Sequence, residues 1–283
     1  MGGARAVRVR GLRKRYAGVA AVDGVDLDID HGETVALLGP NGAGKTTTVE
    51  ILEGHRRRDG GEVRVLGEDP ETAPLQWRYG VGVVLQEVTD LGELTVAETI
   101  RHFARYYPDA RDPAEVIELV GLTAKARSRV ATLSGGQRRR LDVAVGVLGN
   151  PRLLFLDEPT TGFDPQARRR FWTLIRSLAG HGTTILLTTH YLDEAEALAD
   201  RVAVLAAGRI VAEGNPATLG GRADSVATVT WREGGASRTE RTADPGALVA
   251  RLVGRFGGDV PGLSVTRPSL EDTYLELVEG HES

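Results

Sequence analysis

The apolar run Thr34-Val-Ala-Leu-Leu38 ends on Gly39-Pro-Asn-Gly-Ala-Gly44-Lys45-Thr46, and a helix-forming stretch from about Gly44 to Leu52 follows. No other feature of the chain restricts its fold as much. A short apolar run bounded by a glycine turn reads as a buried parallel strand. The glycines let the backbone curl so that successive N–H groups point inward at an anion, and the following helix N-terminus adds a favourable dipole. In this strand-to-helix context the pattern G-x-x-x-x-G-K-[ST] is a phosphate loop for a nucleoside triphosphate rather than a plain connecting turn. Lys45 would reach the β- and γ-phosphates, and the Thr46 hydroxyl would face Mg²⁺.

Composition narrows the rest. The chain has 283 residues, 26% of them charged and 41% hydrophobic, as in ordinary globular proteins of one or two domains. A net charge of −4 provides no basic field to hold nucleic acid, so no nucleic-acid partner is expected. Cysteine is absent, which excludes disulfides, thiolate catalysis and Cys-based zinc sites, and fits a cytosolic setting. Met1 to Leu12 carry arginines and no apolar core, so no signal peptide is expected. No stretch approaches ~20 apolar residues, so no membrane-spanning helix is expected. Only Lys14, Lys45 and Lys125 among the 35 basic residues are lysines, which reads as a coding bias.

Two further buried runs, Arg152 to Leu156 and Thr183 to Thr189, alternate with helices, which indicates an α/β core. Asp164-Pro165 opens the helix between them, with Phe171, Leu174, Ile175 and Leu178 as its apolar stripe. Val7 to Ile29 alternates in polarity and reads as antiparallel strands. The region from about 87 to 150 reads as a mostly helical insertion. Beyond Asn215-Pro216 the character changes to a small α+β appendage, 221–283, following a main unit of 1–220. Strands are expected at Val226 to Trp231 and Leu263 to Thr266, and a helix capped by Asp244-Pro245 lies between them. A capping box, Ser269-Leu-Glu-Asp272, opens the last helix, whose face Leu270, Tyr274, Leu277 and Val278 is expected to pack on the strands just before it, or else in part to support contacts with a partner subunit.

Leu153-Leu-Phe-Leu-Asp157-Glu158 places two acids at the carboxyl end of a buried strand, where open α/β sheets bind ligands. Asp157 suits Mg²⁺, which prefers oxygen ligands and retains water, and Glu158 is then free to polarise a water in line with the γ-phosphate. Leu133-Ser-Gly-Gly-Gln137 supplies a helix start with a hydroxyl and exposed N–H groups, an anion-binding end.

With this last segment the chain resembles the ATP-binding subunits of ATP-binding-cassette (ABC) transporters, over about Val7 to Glu213 and with the motifs in the family's order. The resemblance implies a P-loop cassette: a RecA-like α/β core, an antiparallel β subdomain and a helical insertion. It implies ATP and Mg²⁺ as ligands. Expected nucleotide contacts are Gly39, Pro40, Asn41, Gly42, Ala43, Gly44, Lys45, Thr46 and Thr47. From the facing subunit come Ser134, Gly135, Gly136 and Gln137. Tyr16 matches the family's adenine-stacking aromatic, or else covers the core as a hairpin residue. Gln86 matches the glutamine that contacts Mg²⁺ and senses the membrane partner, Asp164 the aspartate crossing to the partner subunit, and His190 the switch histidine near the γ-phosphate. Glu158, His190 and Gln86 are the catalytic set, and Thr46, Gln86 and Asp157 the metal set. Phe163 stands where the family more often has Leu. Gly146 stands where Ala is usual, and is expected to loosen its helix slightly.

The family arrangement implies a head-to-tail homodimer and a separate transmembrane permease, at the cytoplasmic face of a bacterial membrane. Ala21-Val-Asp-Gly-Val25, the segment Leu133 to Val143 and Ser269-Leu-Glu-Asp-Thr-Tyr-Leu275 look like drug or antibiotic exporters of the daunorubicin-resistance type. Two alternatives stay open at this point: an ABC ATPase that drives no transport, and a nucleotide-gated binding or resistance module. Intact Glu158 and His190 speak against the second.

Overall fold

The structure is a computed structural model that describes residues 5–84, 92–224 and 226–279. The chain begins with two long strands, β1 (Arg5–Tyr16) and β2 (Val19–Asp30), and then β3 (Thr34–Leu38), which delivers the phosphate loop to α1 (Lys45–Leu52). Next come β4 (Gly60–Val65), α2 (Leu75–Arg78) and β5 (Val81–Val84). Helices α3 (Val96–Ala104), α4 (Pro113–Leu119) and α5 (Gly135–Val147) form the helical insertion. The core resumes with β6 (Leu153–Asp157), α6 (Pro165–Gly180), β7 (Thr184–Thr189), α7 (Leu192–Leu198), β8 (Arg201–Ala206) and β9 (Arg209–Gly214). The remainder is β10 (Ala227–Glu233), β11 (Ala236–Thr242), α8 (Pro245–Phe256), β12 (Ser264–Thr266) and α9 (Leu270–Glu279).

Among the described residues the strands form three sheets. The central one has the order β5-β6-β7-β3-β8-β9 and is parallel except for its antiparallel edge β9. Antiparallel β2-β1-β4 lies over one face of it, as the alternation of Val7 to Ile29 leads one to expect. Successive residues of a strand point to opposite faces, and β3 divides accordingly. Val35 and Leu37 join the core shared with the antiparallel sheet and α1, whereas Ala36 and Leu38 join the core under α3 to α7. Every residue of β3 is buried, which is why its run is apolar from Val35 to Leu38.

The C-terminal region departs from expectation in one respect. The strands do form, as the sheet β11-β10-β12, but their small core of Val229, Trp231, Leu248, Leu252 and Val260 takes up α8 only. Helix α9 instead packs on α7, β8, β9 and the 219–224 turn, and Leu270 and Val278 enter the main core with Tyr274 and Leu277 beside them. The competing surface won because it is larger: the helical face of the central sheet ends in an apolar rim, Ala195, Leu198 and Leu219, that α9 closes. The Ser269 capping box is present, with the Asp272 N–H donating to Ser269 Oγ at 3.1 Å and the Ser269 N–H to Asp272 Oδ2 at 2.7 Å.

Gly146 also has a stronger reason than helix loosening. A Cβ there would stand 2.9 Å from Val84 Cγ2, and one on Gly82 would stand 2.3 Å from the Gly146 carbonyl oxygen. Helix α5 therefore lies directly on β5, and the two glycines are what allow the approach. Gly82→Ala is expected to lower stability by about 2–3 kcal/mol, because the atom it meets is backbone and cannot turn aside. Gly146→Ala should cost far less, since it meets a side-chain methyl and gains about 1 kcal/mol of helix propensity. Urea unfolding of the two variants checks this order, and equal losses would contradict it.

Candidate active site

The phosphate loop is shaped by its neighbours before any ligand arrives. At one end, Gly39 lies so near Leu205 that a Cβ would be 2.4 Å from the Leu205 oxygen. At the other, Gly44 caps α1 with a left-handed φ of 103°, and a Cβ there would be 2.2 Å from the Ala21 oxygen. Backbone hydrogen bonds complete the clamp: Gly208 N–H donates to Ala43 O at 3.2 Å and Asp23 N–H to Gly208 O at 2.8 Å. Lys45 is only 6% exposed, and its ammonium donates to Gly39 O at 2.8 Å and Pro40 O at 3.2 Å, curling back across the loop. Burial pulls its pKa down, while the carboxylates of Glu158 and Asp157 oppose the shift. Asn41, Gly42 and Thr46 are exposed at the mouth of the loop, and Thr47 is half-buried behind them.

Asp157, Glu158 and His190 sit at the carboxyl ends of β6 and β7, next to the end of β3 that bears the loop. Because these three strands are adjacent and parallel, the sheet itself gathers the acids, the histidine and the lysine on one rim. Thr188 orders the acids. Its hydroxyl donates to Asp157 Oδ1 and accepts from the Glu158 N–H at 3.0 Å, and that N–H also reaches Thr188 O at 3.2 Å. Glu158 adopts a left-handed φ of 41° that a side chain enters at a cost of order 1–3 kcal/mol, a strain typical of functional positions. Its Oε1 lies 3.4 Å from His190 Nδ1, and its Oε2 lies 3.4 Å from the Thr161 hydroxyl. The His190 ring packs on Tyr191, with centroids 4.1 Å apart.

The second group of expected residues assembles elsewhere. Ser134 caps α5 in a reciprocal box with Gln137: Gln137 N–H donates to Ser134 Oγ at 3.3 Å and Ser134 N–H to Gln137 Oε1 at 3.1 Å. Asp164 caps α6 through the N–H groups of Gln166 and Ala167, at 2.9 and 2.8 Å. Ser134, Gly136, Gln137, Asp164 and Ala167 line one pocket of about 100 Å³, flanked by Arg140 and Arg170, and none of its lining comes from the phosphate loop. Gly135 is exposed, with open space where a side chain would stand. Tyr16, 39% exposed at the β1–β2 hairpin, carries Arg56 Cζ at 5.3 Å and Lys14 Nζ at 5.6 Å from its ring centre. Gln86 lies outside the described residues.

Two contributors escaped the sequence reading. Thr188 lay unremarked in a threonine-rich strand. Arg139 falls in register with Val143, Gly146 and Val147 on the buried face of α5, and a charged residue in an apolar stripe was the available signal. It lies 3.9 Å from Asp142, whose carboxyl burial pushes up to about 7 against the pull of Arg139 and Arg138.

The fold and site define a P-loop ATPase with a phosphate loop after β3, an acid pair at the end of β6, one strand removed across β7, and a serine-capped signature helix. Residues 22–161 match the family model described as ABC transporter. The chain is 40% identical to the daunorubicin/doxorubicin resistance ATP-binding protein of Streptomyces peucetius, across 98% of this chain and 93% of that one. It is 39% identical to a Nod factor export ATP-binding protein I of Burkholderia orbicola, across 95% of each. A solved ATP-binding subunit of an ABC transporter superposes with a TM-score of 0.70 at 25% identity, over 96% of this chain and 98% of that one. The chain belongs to the ATP-binding proteins of ABC transporters. No helix among the described residues is long and apolar enough to cross a membrane.

Asp142 gives the site a measurable pH signature. The folded carboxyl keeps its proton up to about 7, whereas the unfolded one releases it near 3.8, so the folded state binds more protons between those values and loses stability as pH rises through them. Asp142→Asn removes this contribution. From pH 5 to pH 8 the variant should gain about 2–3 kcal/mol on the parent chain, read by urea unfolding at each pH. A constant difference would contradict the assignment.

Proposed function

We propose that the chain is the ATP-hydrolysing subunit of an exporter, working as a homodimer on a separate membrane permease at the cytoplasmic face of the membrane. The cargo is a drug, an antibiotic or another small hydrophobic compound. The observation that carries the dimeric mechanism is the separation of the two halves of the site. Ser134, Gly136 and Asp164 share a pocket that the phosphate loop does not enter. A second copy, arranged head to tail, supplies the missing half. Support for the export role comes from the drug-resistance and Nod factor relatives, whose similarity runs through the C-terminal region. We assign 1–220 to the cassette and 221–283 to an accessory region, of which α9 returns to the cassette core.

In this reading the loop N–H groups and Lys45 hold the phosphates, and Tyr16 offers its ring to the adenine. The oxygen donors present, the exposed Thr46 hydroxyl and the Asp157 carboxylate, fit Mg²⁺, with Gln86 as the third expected ligand. When bound, Mg²⁺ neutralises charge on the β- and γ-phosphate oxygens. Glu158 accepts a hydrogen bond from the attacking water and polarises it, and His190, whose Nδ1 is 3.4 Å from that carboxylate, is the switch residue of the same rim. The Ser134–Gln137 box orders the start of the signature helix, and the Asp164 cap orders the start of α6 in the same pocket.

Glu158→Gln keeps the shape and the Thr161 contact but loses the base. Its kcat should fall at least ~10²-fold with ATP affinity within about threefold, measured by phosphate release and calorimetry. Hydrolysis at the parent rate would remove Glu158 from the role. Closure of the dimer is read by cysteine crosslinking on a background that contains no cysteine. Asn41→Cys is preferred over the neighbouring Gly42, whose φ of 83° a side chain would strain. With Ser134→Cys in the same chain, ATP should produce crosslinks between chains, whereas crosslinks formed only within a chain would refute the composite site. The Glu158→Gln chain, held closed by ATP, should also retain a polytopic membrane protein from detergent-solubilised membranes. Full ATPase activity in the parent with no such partner would favour a role outside transport.

A further inference from the structure

Arg139 is a guanidinium taken almost wholly out of water, 7% exposed, in the middle of an apolar helix face. Burying such a charge is expensive and is compensated only by good hydrogen bonds. Its bonds are informative. Nε donates to Pro159 O at 3.1 Å and Nη2 to Asp157 O at 2.7 Å. Those two carbonyls belong to the residues on either side of Glu158. The planar fork of one arginine therefore grips the backbone before and after the acid, at the point where Glu158 takes its left-handed φ. The same arginine rides on α5, whose serine-capped first turn begins five residues earlier at Ser134.

We infer that Arg139 is a positioning residue that couples the signature helix to Glu158 of its own chain. The inference rests on the composite-site reading above. In a head-to-tail dimer, Ser134 of a chain touches the ATP held by its partner, while Glu158 of that chain acts on the ATP held by its own Lys45. Arg139 then joins the two nucleotide sites through a single rigid link. A helix drawn onto one γ-phosphate carries its guanidinium with it, and the two gripped carbonyls set the aim of the carboxylate at the other. Packing alone gives no reason for an arginine here, since an apolar side chain would fill the space without the desolvation cost.

The test uses Arg139→Lys, which keeps the charge beside Asp142 but replaces the fork by a single-point ammonium, and Arg139→Gln, which keeps a short donor without charge. The expected result for both is a kcat reduced between ~10- and 100-fold, as for a misaimed catalytic group. KM for ATP should stay within about twofold and the ATP-dependent crosslink between Asn41→Cys and Ser134→Cys should still form, whereas the thermal midpoint falls modestly as a buried carbonyl loses its donor. Adding Arg139→Lys to Glu158→Gln should then cause little further loss, because both act through the same carboxylate. An unchanged kcat in the two variants overturns the proposal. So does a kcat loss accompanied by weaker ATP binding and lost crosslinks, which marks a structural staple only. Failure of the composite reading shows separately, as absence of interchain crosslinks in the chain that retains Arg139.

Discussion

The phosphate loop is pinned at both ends by backbone carbonyls, and the rest of the molecule is arranged around those two contacts. Leu205 O bears on Gly39 and Ala21 O on Gly44, in each case at a distance that only the absence of a Cβ permits. The first contact ties the loop to β8, the second to β2. The antiparallel sheet therefore does more than cover one face of the central sheet. It holds the N-terminal cap of α1, and the same hairpin carries Tyr16. Glycine at these two positions is a packing requirement as much as a means of wrapping phosphate.

A second constraint follows from sheet order. The phosphate loop lies more than a hundred residues from the acid pair and the histidine in sequence, yet β6, β7 and β3 stand side by side and run in the same direction. Four charged or ionisable groups thus share one rim with little loop to position them. The cost of that crowding is visible in the lysine, whose burial disfavours its charge while the two acids restore it. Thr188 relieves the acids by bonding one carboxylate and the backbone of the other, so the rim is ordered by a neutral hydroxyl rather than by another charge.

Much of this was legible in the sequence, for physical reasons that differ from part to part. Strand β3 and the loop were plain because burial on both faces demands an unbroken apolar run and the turn demands glycine. The caps at Asp164, Asp244 and Ser269 were plain because an N-cap is a local bargain between a side chain and the next few N–H groups. The destination of α9 was not legible: its apolar stripe states that a face is buried and says nothing of which surface buries it. Strand β11 escaped notice because all but its last residue is exposed and its sequence lacks an apolar alternation. The packing role of Gly146 escaped for a related reason, since helix propensity is local and the approach of β5 is not. Arg139 and Thr188 bond to main-chain atoms about twenty and thirty residues distant, and such partners leave no pattern along the chain.

The return of α9 to the cassette has an architectural consequence. The chain leaves the core at the 219–224 turn and comes back at α9, and these two places touch, with Gly220 directly against the Thr273 methyl. The segment 227–266, with its own sheet and α8, is thus an excursion whose two ends are already held together. Doubling or halving such a closed detour changes its closure entropy by only about 0.6 kcal/mol. A change in its length therefore costs little, while the helix that follows stays bound to the ATPase core.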